Sequence, residues 1–412
     1  MSARDAFFKD SRDDVTGGPL HGVRILEVAT TWAGPRCATI MADYGADVIK
    51  IETGKNPDVA RRLVPTMPES GVGYLHSTVN RNKRCVTVDL QMPEGRDVLH
   101  LLIKTADIFV ENMTPGTLAS WGCGYADLRE IKPDIVYVSI TAYGQYGPYS
   151  HRPGYDPIAQ SLTGFCHMNA ASEDAPPMKA PIFLSDELGS LHGAMGAMAA
   201  LRHRDVTGEG QHVDVSLVDA TIASSTGLHT MAAQGLPTPR LGNSYSVGSP
   251  VNAYECKDGW VYLAVLLNGH WQSFAEAMGK PELADDERYA TLPARIAHRD
   301  ELDAMVSAWC KAQTRDVVTS LCESADVPSG PILTPQETVK NEHVQVRGAL
   351  QSVTNSDGIE EILPAPAAKF SRTPVSIRTA AEQVGQSTDE VLGEIGLNEQ
   401  QIKTLRDSGV IV

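Results

Sequence analysis

The chain has 412 residues, which is enough for two or three units that each have a sizeable core. Its 42% hydrophobic and 21% charged residues are typical of an ordinary soluble globular protein. The formal net charge of -16 argues against nucleic acid or an anionic membrane as the main partner, because phosphate-rich surfaces are bound through an excess of Lys and Arg.

Cysteine usage indicates a reducing compartment. The seven cysteines are scattered and form no CxxC pair, so we expect free thiols and no disulfide scaffold. The histidines show no ligand spacing, and we expect no metal site. The first residues lack the apolar core of a signal peptide, and no apolar run approaches the roughly 18 residues that span a bilayer. We therefore predict a cytoplasmic protein with no membrane partner.

Strand-like and helix-like runs alternate through the first half of the chain. The strand-like runs are 23–28, 47–51, 85–90, 108–111, 135–140 and 213–217, and the helix-like runs include 35–44, 94–104 and 185–201. This alternation is typical of an α/β domain, in which helices cover a mostly parallel sheet. We expect a Rossmann-like large domain whose ligands bind at the carboxyl ends of the strands.

A nicotinamide or flavin enzyme is the first alternative to weigh, because Glu52 closes the second strand, where Rossmann proteins keep a ribose-binding acid. The turn at 30–35 argues against it, since it holds one glycine instead of GxGxxG. Trp32 and Pro35 would also crowd the close backbone approach of a pyrophosphate. The sequence therefore disfavours a dinucleotide.

Positive charge is concentrated between residues 50 and 84. This stretch has seven basic and three acidic residues, a net charge of +4 in a chain that is acidic overall. A small polyphosphate ligand or a plain solvated loop surface would each account for it.

The stretch 181–201, PIFLSDELGSLHGAMGAMAAL, predicts a buried helix that begins near Ser185 and Asp186. Large apolar residues recur at helical spacing on one face, and small residues form another. The large ones are Leu188, Leu191, Met195, Met198 and Leu201, and the small ones are Gly189, Gly193 and Ala197. A helix start favours an ionised carboxylate, so Asp186 should be charged at neutral pH. It is either a helix cap or a nucleophile.

The second half of the chain changes character after residue 229. Turn-forming residues at 230–250 predict a linker, which follows the first part of the large domain at 1–229. Residues 251–345 predict a small α+β domain, with a turn-linked strand pair within 253–267 and helices near 270–278, 299–312 and 314–324.

Residues 346–412 read as a return segment that completes the large domain. In this segment, Ser387 with Glu390 and Asn398 with Gln401 have capping-box spacing, so each pair is expected to open a short helix.

The motif Leu-Ser-Asp-Glu-Leu-Gly-Ser-Leu-His-Gly, followed by an Ala-rich helix, resembles the catalytic corner of the class III coenzyme A transferases. The resemblance extends from about residue 20 to residue 412. It implies that Asp186 attacks an acyl-CoA thioester and forms a mixed anhydride and then aspartyl-CoA. It also implies an interlocked dimer, either a homodimer or a heteromer with a related chain. Coenzyme A would be a substrate, with an acyl-CoA donor and a small carboxylic acid acceptor, and no cofactor would be bound permanently.

The same resemblance implies which residues bind coenzyme A. They are Trp32 and Ala33 in the first turn, Lys83 in an Asn-Lys-Arg signature, Asn112 and Met113 after a Val-Glu pair, and Arg152 and Tyr155 along the pantetheine channel. Lys83 would contact a phosphate or the ribose. Plain turn chemistry is the other interpretation of Asn112. Thr53 and Ser120 depart from the family, since some members have arginine at these positions.

Two rival functions remain. An acyl-CoA racemase or isomerase of the same fold would need a pair of bases, but Tyr155 precedes Asp156 where racemase-like members place a histidine. One subunit of a heteromeric CoA-transferase is the other possibility. The oxyanion donors are expected either at the start of the helix that carries Asp186 or in the glycine-containing linker. Arg240, in the linker, is either a partner for the far carboxylate of a dicarboxylic acid or a plain surface arginine.

Overall fold

The structure is a computed structural model that describes residues 6–8, 17–68 and 71–412. The described residues divide into two compact units. The described residues within Met1–Phe165, Lys179–Ala233 and Glu342–Val412 form the large unit, and those within Cys166–Met178 and Gln234–Asn341 form the small unit.

Eleven strands and eighteen α-helices are formed by the described residues. The strands are β1 (Arg24–Val28), β2 (Asp47–Glu52), β3 (Lys83–Thr87), β4 (Ile108–Glu111), β5 (Val136–Thr141), β6 (His212–Ser216), β7 (Val251–Cys256), β8 (Gly259–Ala264), β9 (Ser329–Ile332), β10 (Leu350–Thr354) and β11 (Glu360–Pro364). The helices are α1 (Ala33–Asp43), α2 (Tyr74–Asn80), α3 (Pro93–Ile103), α4 (Thr117–Ser120), α5 (Tyr125–Ile131), α6 (Asp156–Leu162), α7 (Phe165–Met168), α8 (Leu184–Thr207), α9 (Leu217–Ala223), α10 (Leu228–Ala233), α11 (Asn268–Ala277), α12 (Leu292–Ala297), α13 (Arg299–Lys311), α14 (Arg315–Ser324), α15 (Pro335–Thr338), α16 (Glu342–Val346), α17 (Thr388–Glu394) and α18 (Glu399–Asp407).

The large unit is built on a six-stranded parallel sheet in the order β3-β2-β1-β4-β5-β6, which confirms the predicted α/β class. Strand β1 pairs with β2 on one side and with β4 on the other, so the direction of strand progression reverses there. In an open parallel sheet, that reversal leaves a crevice at the carboxyl ends of the strands.

Helices cover both faces of this sheet. One apolar cluster joins β5 to α1 and α8 through Ile140, Cys37 and Ala197. A second cluster on the other face includes Leu99 from α3 and Val391 from α17. The result is a three-layer α/β/α arrangement, in which burial of apolar surface on both faces accounts for the near-continuous apolar sequences of the strands.

Helix α8 turns its small residues, not its large ones, toward the sheet. An added Cβ at Gly193 would lie 2.7 Å from Ile140 Cδ1 and 3.1 Å from Cys37 Sγ, so only glycine allows this approach. Leu191 is 44% exposed and Met195 is 52% exposed. The helix predicted to be buried is therefore partly exposed at these two residues, because close contact with α1 and β5 requires small side chains on the inner face.

The segment after residue 378 covers the edge strand β3. Thr379 O accepts the Asn82 N–H at 3.0 Å, and the Ser387 N–H donates to Cys85 O at 3.0 Å. At the other end, Val412 N–H donates to Thr87 Oγ1 at 3.0 Å. These contacts occupy polar groups that an open sheet edge would expose.

One of the two predicted capping boxes is present. Asn398 Oδ1 accepts the Gln401 N–H at 3.0 Å, and Gln401 accepts the Asn398 N–H at 2.9 Å, which confirms that pair at the start of α18. Ser387 also precedes a short helix, α17, as predicted, but it forms no capping box, because its hydroxyl donates to Glu382 at 2.7 Å.

The small unit contains a three-stranded antiparallel sheet in the order β7-β8-β9. The predicted strand pair is confirmed as β7 and β8, and the helices predicted nearby are α11, α13 and α14. Its core is formed around Trp271 and Phe274, which are fully buried.

Arg240 belongs to the small unit and is only 9% exposed. Its guanidinium donates to the carbonyl oxygens of Glu173 and Ala175, and its own N–H donates to Glu173 Oε1 at 2.7 Å. Arg240 is therefore buried and stabilises the segment that contains Glu173 and Ala175. This corrects its interpretation as a surface arginine.

Across the described ranges, no group of three or more His, Cys, Asp or Glu side chains is arranged to hold a metal ion. No helix in the same part of the chain is long and apolar enough to cross a membrane.

Candidate active site

A cleft in the large unit lies at the carboxyl ends of the central strands, as the strand order predicts. Asp186 lines this cleft, and so do all the expected coenzyme A contacts except Lys83. Those contacts are Trp32, Ala33, Asn112, Met113, Arg152 and Tyr155. The structure thus brings together residues that are up to 154 positions apart in the sequence.

Lys83 is not part of the cleft. It begins β3, at the amino end of the sheet, and it is only 3% exposed. Its ammonium donates to Glu27 Oε2 at 2.6 Å and to the carbonyl oxygens of Pro35 and Val79 at 2.7 and 2.6 Å. The expectation that Lys83 contacts a phosphate or the ribose is therefore corrected, since all three ammonium protons have partners inside the unit.

Most of the positive charge between residues 50 and 84 is neutralised within the unit. The ion pairs join Lys50 to Glu27 and Asp58, Arg61 to Glu52, Arg81 to Asp43, and Arg84 to Asp47, Glu390 and Glu394. Only Lys55 and Arg62 of the seven basic residues are exposed. The stretch is therefore mainly a set of structural ion pairs, and the expectation that it attracts phosphates as a whole is wrong.

Asp186 lies in the first turn of α8 but does not cap that helix. The cap comes from Asp156, at the start of α6, whose Oδ1 accepts the N–H groups of Ser185 at 2.7 Å and Asp186 at 3.3 Å. Among the described residues, none donates a hydrogen bond to the Asp186 carboxylate. Of the two interpretations of Asp186, the structure excludes the helix cap.

The same contacts bear on where an oxyanion could be stabilised. The N–H groups of Ser185 and Asp186 are occupied by Asp156, and the next one, of Glu187, donates to Phe183 O at 2.9 Å. The start of α8 therefore offers none of these three donors to a substrate. This corrects one of the two expected locations for the oxyanion donors.

The electrostatic surroundings of Asp186 differ from the expectation. Burial, together with the nearby carboxylates of Asp156 and then Glu187, raises its pKa to about 7. The prediction of an ordinary pKa near 4 is therefore wrong. The start of the helix stabilises the charged form of Asp186, but burial and the two acidic neighbours destabilise that form by more. A carboxylate with this pKa is present in both charge states at neutral pH.

Trp32 and Ala33 are tied to the first turns of α8. Trp32 Nε1 donates to Glu187 Oε1 at 3.1 Å, and the Trp32 ring lies edge-on to Phe183 at 5.4 Å. The Ser190 hydroxyl contacts Ala33 O at 2.8 Å and Asp186 O at 2.6 Å. These contacts hold the turn that contains Trp32 and Ala33 beside the Asp186 carboxylate.

Asn112 braces the turn that precedes Trp32. Its Oδ1 accepts the Thr30 N–H at 2.9 Å, and its Nδ2 donates to Thr30 O at 2.8 Å. Thr31 adopts a left-handed conformation with φ of 70°, and Asp58 Oδ1 accepts its N–H at 3.0 Å. These bonds support the interpretation of Asn112 as turn chemistry. Asp58 was missed in the sequence because an acid within a basic stretch gives no local sign of a distant partner.

Arg152 is the one cation among the described residues that line the cleft. Its guanidinium lies 3.8 Å from the centre of the Tyr149 ring and remains exposed, as does Tyr155, which is 70% exposed. A cation over an aromatic ring is held in place without losing access to a ligand. Arg152 is thus placed to meet an anionic group.

The family model described as CoA-transferase family III matches residues 20–388, and the chain belongs to that family. It is 36% identical over 401 residues to the succinyl-CoA--L-malate CoA-transferase beta subunit of Chloroflexus aurantiacus, covering 95% of this chain and 98% of that one. It is also 36% identical over 388 residues to the succinate--glutarate CoA-transferase of Agrobacterium fabrum, covering 92% and 96%. A crystal structure of a CAIB/BAIF family protein from Brucella suis is similar, with a TM-score of 0.82, 29% identity, and coverage of 92% of this chain and 100% of that one.

Proposed function

We propose that this chain transfers coenzyme A from an acyl-CoA thioester to a free carboxylic acid through a covalent intermediate on Asp186. One observation carries the assignment: the Asp186 carboxylate lines the cleft, and among the described residues nothing donates a hydrogen bond to it. The helix start that would otherwise engage it is capped by Asp156. A carboxylate held in this way is available to attack a carbonyl carbon.

The first half of the reaction consumes the donor. A carboxylate oxygen of Asp186 attacks the thioester carbonyl carbon, the C–S bond breaks, and coenzyme A leaves as the thiolate. The product is a mixed anhydride between Asp186 and the acyl group. The thiolate then attacks the aspartyl carbonyl carbon, which releases the donor acid as its carboxylate and leaves an aspartyl-CoA thioester.

The second half repeats these exchanges with the acceptor. The acceptor carboxylate attacks the aspartyl-CoA carbonyl carbon and expels the thiolate, which gives a second mixed anhydride. The thiolate attacks the acceptor's acyl carbon, forms the new thioester and regenerates the Asp186 carboxylate. No net proton is taken up, and the thioester is conserved provided that water is kept from the anhydrides.

The two relatives are named for succinyl-CoA, malate, succinate and glutarate. We infer that a short dicarboxylic acid is the donor acid or the acceptor here as well. Coenzyme A is proposed to lie along Trp32, Ala33, Met113, Arg152 and Tyr155, with Arg152 facing an anionic group.

No observation favours an acyl-CoA racemase. That reaction needs two free bases, but Asp156 is 2% exposed and its carboxylate already accepts bonds from Ser185, Asp186 and Gln160. No histidine stands beside it, because Tyr155 occupies that position. The proposed transfer requires only Asp186 as a covalent group.

We infer that the chain acts as part of a dimer, with either a second copy or a related chain. Three helices that contact one another, α6, α8 and α9, expose large apolar side chains. These are Ile158, Leu162, Leu191, Met195 and Ile222, which are 39 to 52% exposed. Large apolar side chains that are exposed on neighbouring helices often mark a protein interface. One relative is itself named as a beta subunit.

The test is to trap the intermediate. Wild-type protein incubated with succinyl-CoA should acquire a hydroxylamine-sensitive adduct that peptide mapping places on Asp186. Asp186→Ala should lose the adduct and transfer activity by several orders of magnitude. Asp219→Ala, which removes another acid from the first turn of a helix but lies outside the cleft, is the matched control and should keep both. An adduct on Glu187 or a cysteine would refute the assignment.

A further inference from the structure

Asp156 is a buried acid that the proposed reaction does not use as a reacting group. It is 2% exposed, and both of its carboxylate oxygens are engaged. Oδ1 accepts the N–H groups of Ser185 and Asp186, while Oδ2 accepts from Gln160 Nε2 at 2.6 Å. Gln160 is itself fully buried, and its Oε1 accepts the Ala180 N–H at 2.8 Å. Asp156 is thus fixed between the start of α6 and the start of α8.

A neutral side chain would have sufficed to satisfy two free amides at a helix start. Asn, Ser and Thr are all common in that role. Burial of a full negative charge is costly unless the charge is compensated. In the described part of the chain, no Lys, Arg or His forms an ion pair with Asp156, so its charge is balanced by amide donors and by the positive end of α8. Its field therefore extends to the adjacent Asp186.

We propose that Asp156 is a positioning residue for this enzyme: it holds the first turn of α8 so that Asp186 faces the cleft, and it sets the charge on Asp186. This inference rests on the proposed function of Asp186. It assigns to Asp156 a role that works through another residue, since Asp156 itself is shielded from any substrate by its bonds to the two amides and to Gln160.

Other charged or titratable groups surround Asp186. They are Glu187 on α8, Arg36 on α1, and Tyr143, Arg152 and Tyr155 along the cleft. The charge of Glu187 is offset by Arg36, whose Nε lies 3.2 Å from Glu187 Oε1, and by the Trp32 indole. Asp156 has no such cation, so it is the stronger of the two acidic neighbours.

The direction of the effect follows from the sign of the charges. After burial, Asp156 is the largest cause of the raised pKa of Asp186, ahead of Glu187. Removing the charge of Asp156 should lower that pKa, so that Asp186 is ionised at lower pH. If the pKa fell by one unit from about 7, the ionised fraction at pH 6 would rise roughly five-fold.

The test compares Asp156→Asn and Asp156→Glu with wild type. The titration of Asp186 is followed by NMR of protein with 13C-labelled aspartate side chains, with Asp186→Asn used for assignment. The pH dependence of adduct formation from succinyl-CoA is measured in parallel. For Asp156→Asn, we expect both the titration and the acid limb to move to lower pH. Asp156→Glu keeps the charge, so its acid limb should stay near that of wild type, while its longer side chain displaces the first turn and lowers kcat.

Asp205→Asn removes an exposed acid at the far end of α8 and should change neither the titration nor kcat. The inference is overturned if Asp186 titrates at the same pH in Asp156→Asn as in wild type, even when kcat falls. It is also overturned if Asp156→Glu keeps the wild-type kcat, and this second result does not require the asparagine variant to fold. Failure of the proposed function would give a different result, because wild type would then form no adduct on Asp186. The NMR titration of Asp186 in the Asp156 variants would still show whether Asp156 influences its charge.

Discussion

The ammonium of Lys83 lies 2.6 Å from Oε2 of Glu27, while Oε1 of the same carboxylate accepts from Lys50 at 2.8 Å. All three side chains are at most 3% exposed. A carboxylate shared between two buried cations ties β1, β2 and β3 together. Loss of one partner leaves the others with an unbalanced buried charge.

We therefore predict that Lys83→Met lowers the free energy of unfolding by about 3 kcal/mol, as expected for a broken buried ion pair. The affinity of the folded protein for coenzyme A should be unchanged, because Lys83 does not line the cleft. Denaturant unfolding and calorimetry measure the two quantities. Lys55→Met, at an exposed position, should alter neither stability nor fold. A selective loss of affinity at normal stability would contradict the structure.

Arg152→Gln should weaken coenzyme A binding, because Arg152 is the cation among the described cleft-lining residues. An exposed cation acts through a screened field, so the loss should be largest at low ionic strength. Calorimetry at two salt concentrations provides the measurement. Arg62→Gln removes an exposed charge from the 50–84 stretch and serves as the control. Equal affinities for Arg152→Gln and wild type would remove Arg152 from the proposed binding surface.

The pKa of Asp186 leads to a prediction about stability. A carboxyl group whose pKa is near 7 when folded and near 4 when unfolded favours folding at low pH, and this contribution is lost as the pH rises through 7. Asp186→Asn carries no such charge. It should therefore be more stable than wild type at pH 8, by up to about 4 kcal/mol, and should differ little at pH 4. Urea unfolding at both pH values decides, and equal stability at pH 8 would argue against the raised pKa.

The exposed apolar face of α8 predicts the state of association. Met195→Glu should convert a dimer of the chain, or its complex with a related chain, into separate chains, because a charge cannot be buried unpaired at an interface. Light scattering of wild type and variant gives the masses directly. Leu101→Glu, at a 37% exposed position on α3, is the control and should leave the mass unchanged. If wild type remained a monomer both alone and when mixed with a related chain, the proposed dimer would be refuted.

Much of the fold followed from local pattern. The strand at 108–111 was predicted with its observed bounds because Ile108 to Val110 form a fully apolar run. The start of β3 was placed two residues late, since Lys83 and Arg84 look like loop residues until Glu27 and Asp47 are brought beside them by the sheet. Local sequence cannot reveal partners at such distances.

The candidate site likewise has a part that local sequence predicts and a part that it does not. Asp186 and the cleft residues follow from motifs, but the cap from Asp156 depends on how α6 meets α8. Periodicity gave two faces for α8 without indicating which one meets the sheet; contact with Ile140 and Cys37 determines that choice.

The segment after residue 378, which covers β3, can pair with that strand only late in synthesis. Asn82, beside that strand, receives its backbone partners from a segment 297 positions later in the chain. At about 5 to 20 residues per second, the ribosome needs roughly 15 to 60 s to make the intervening chain. For that time the nascent sheet has an open edge, which is the kind of surface on which strands from other molecules add. The protein is therefore most vulnerable to aggregation before its translation has reached residue 379.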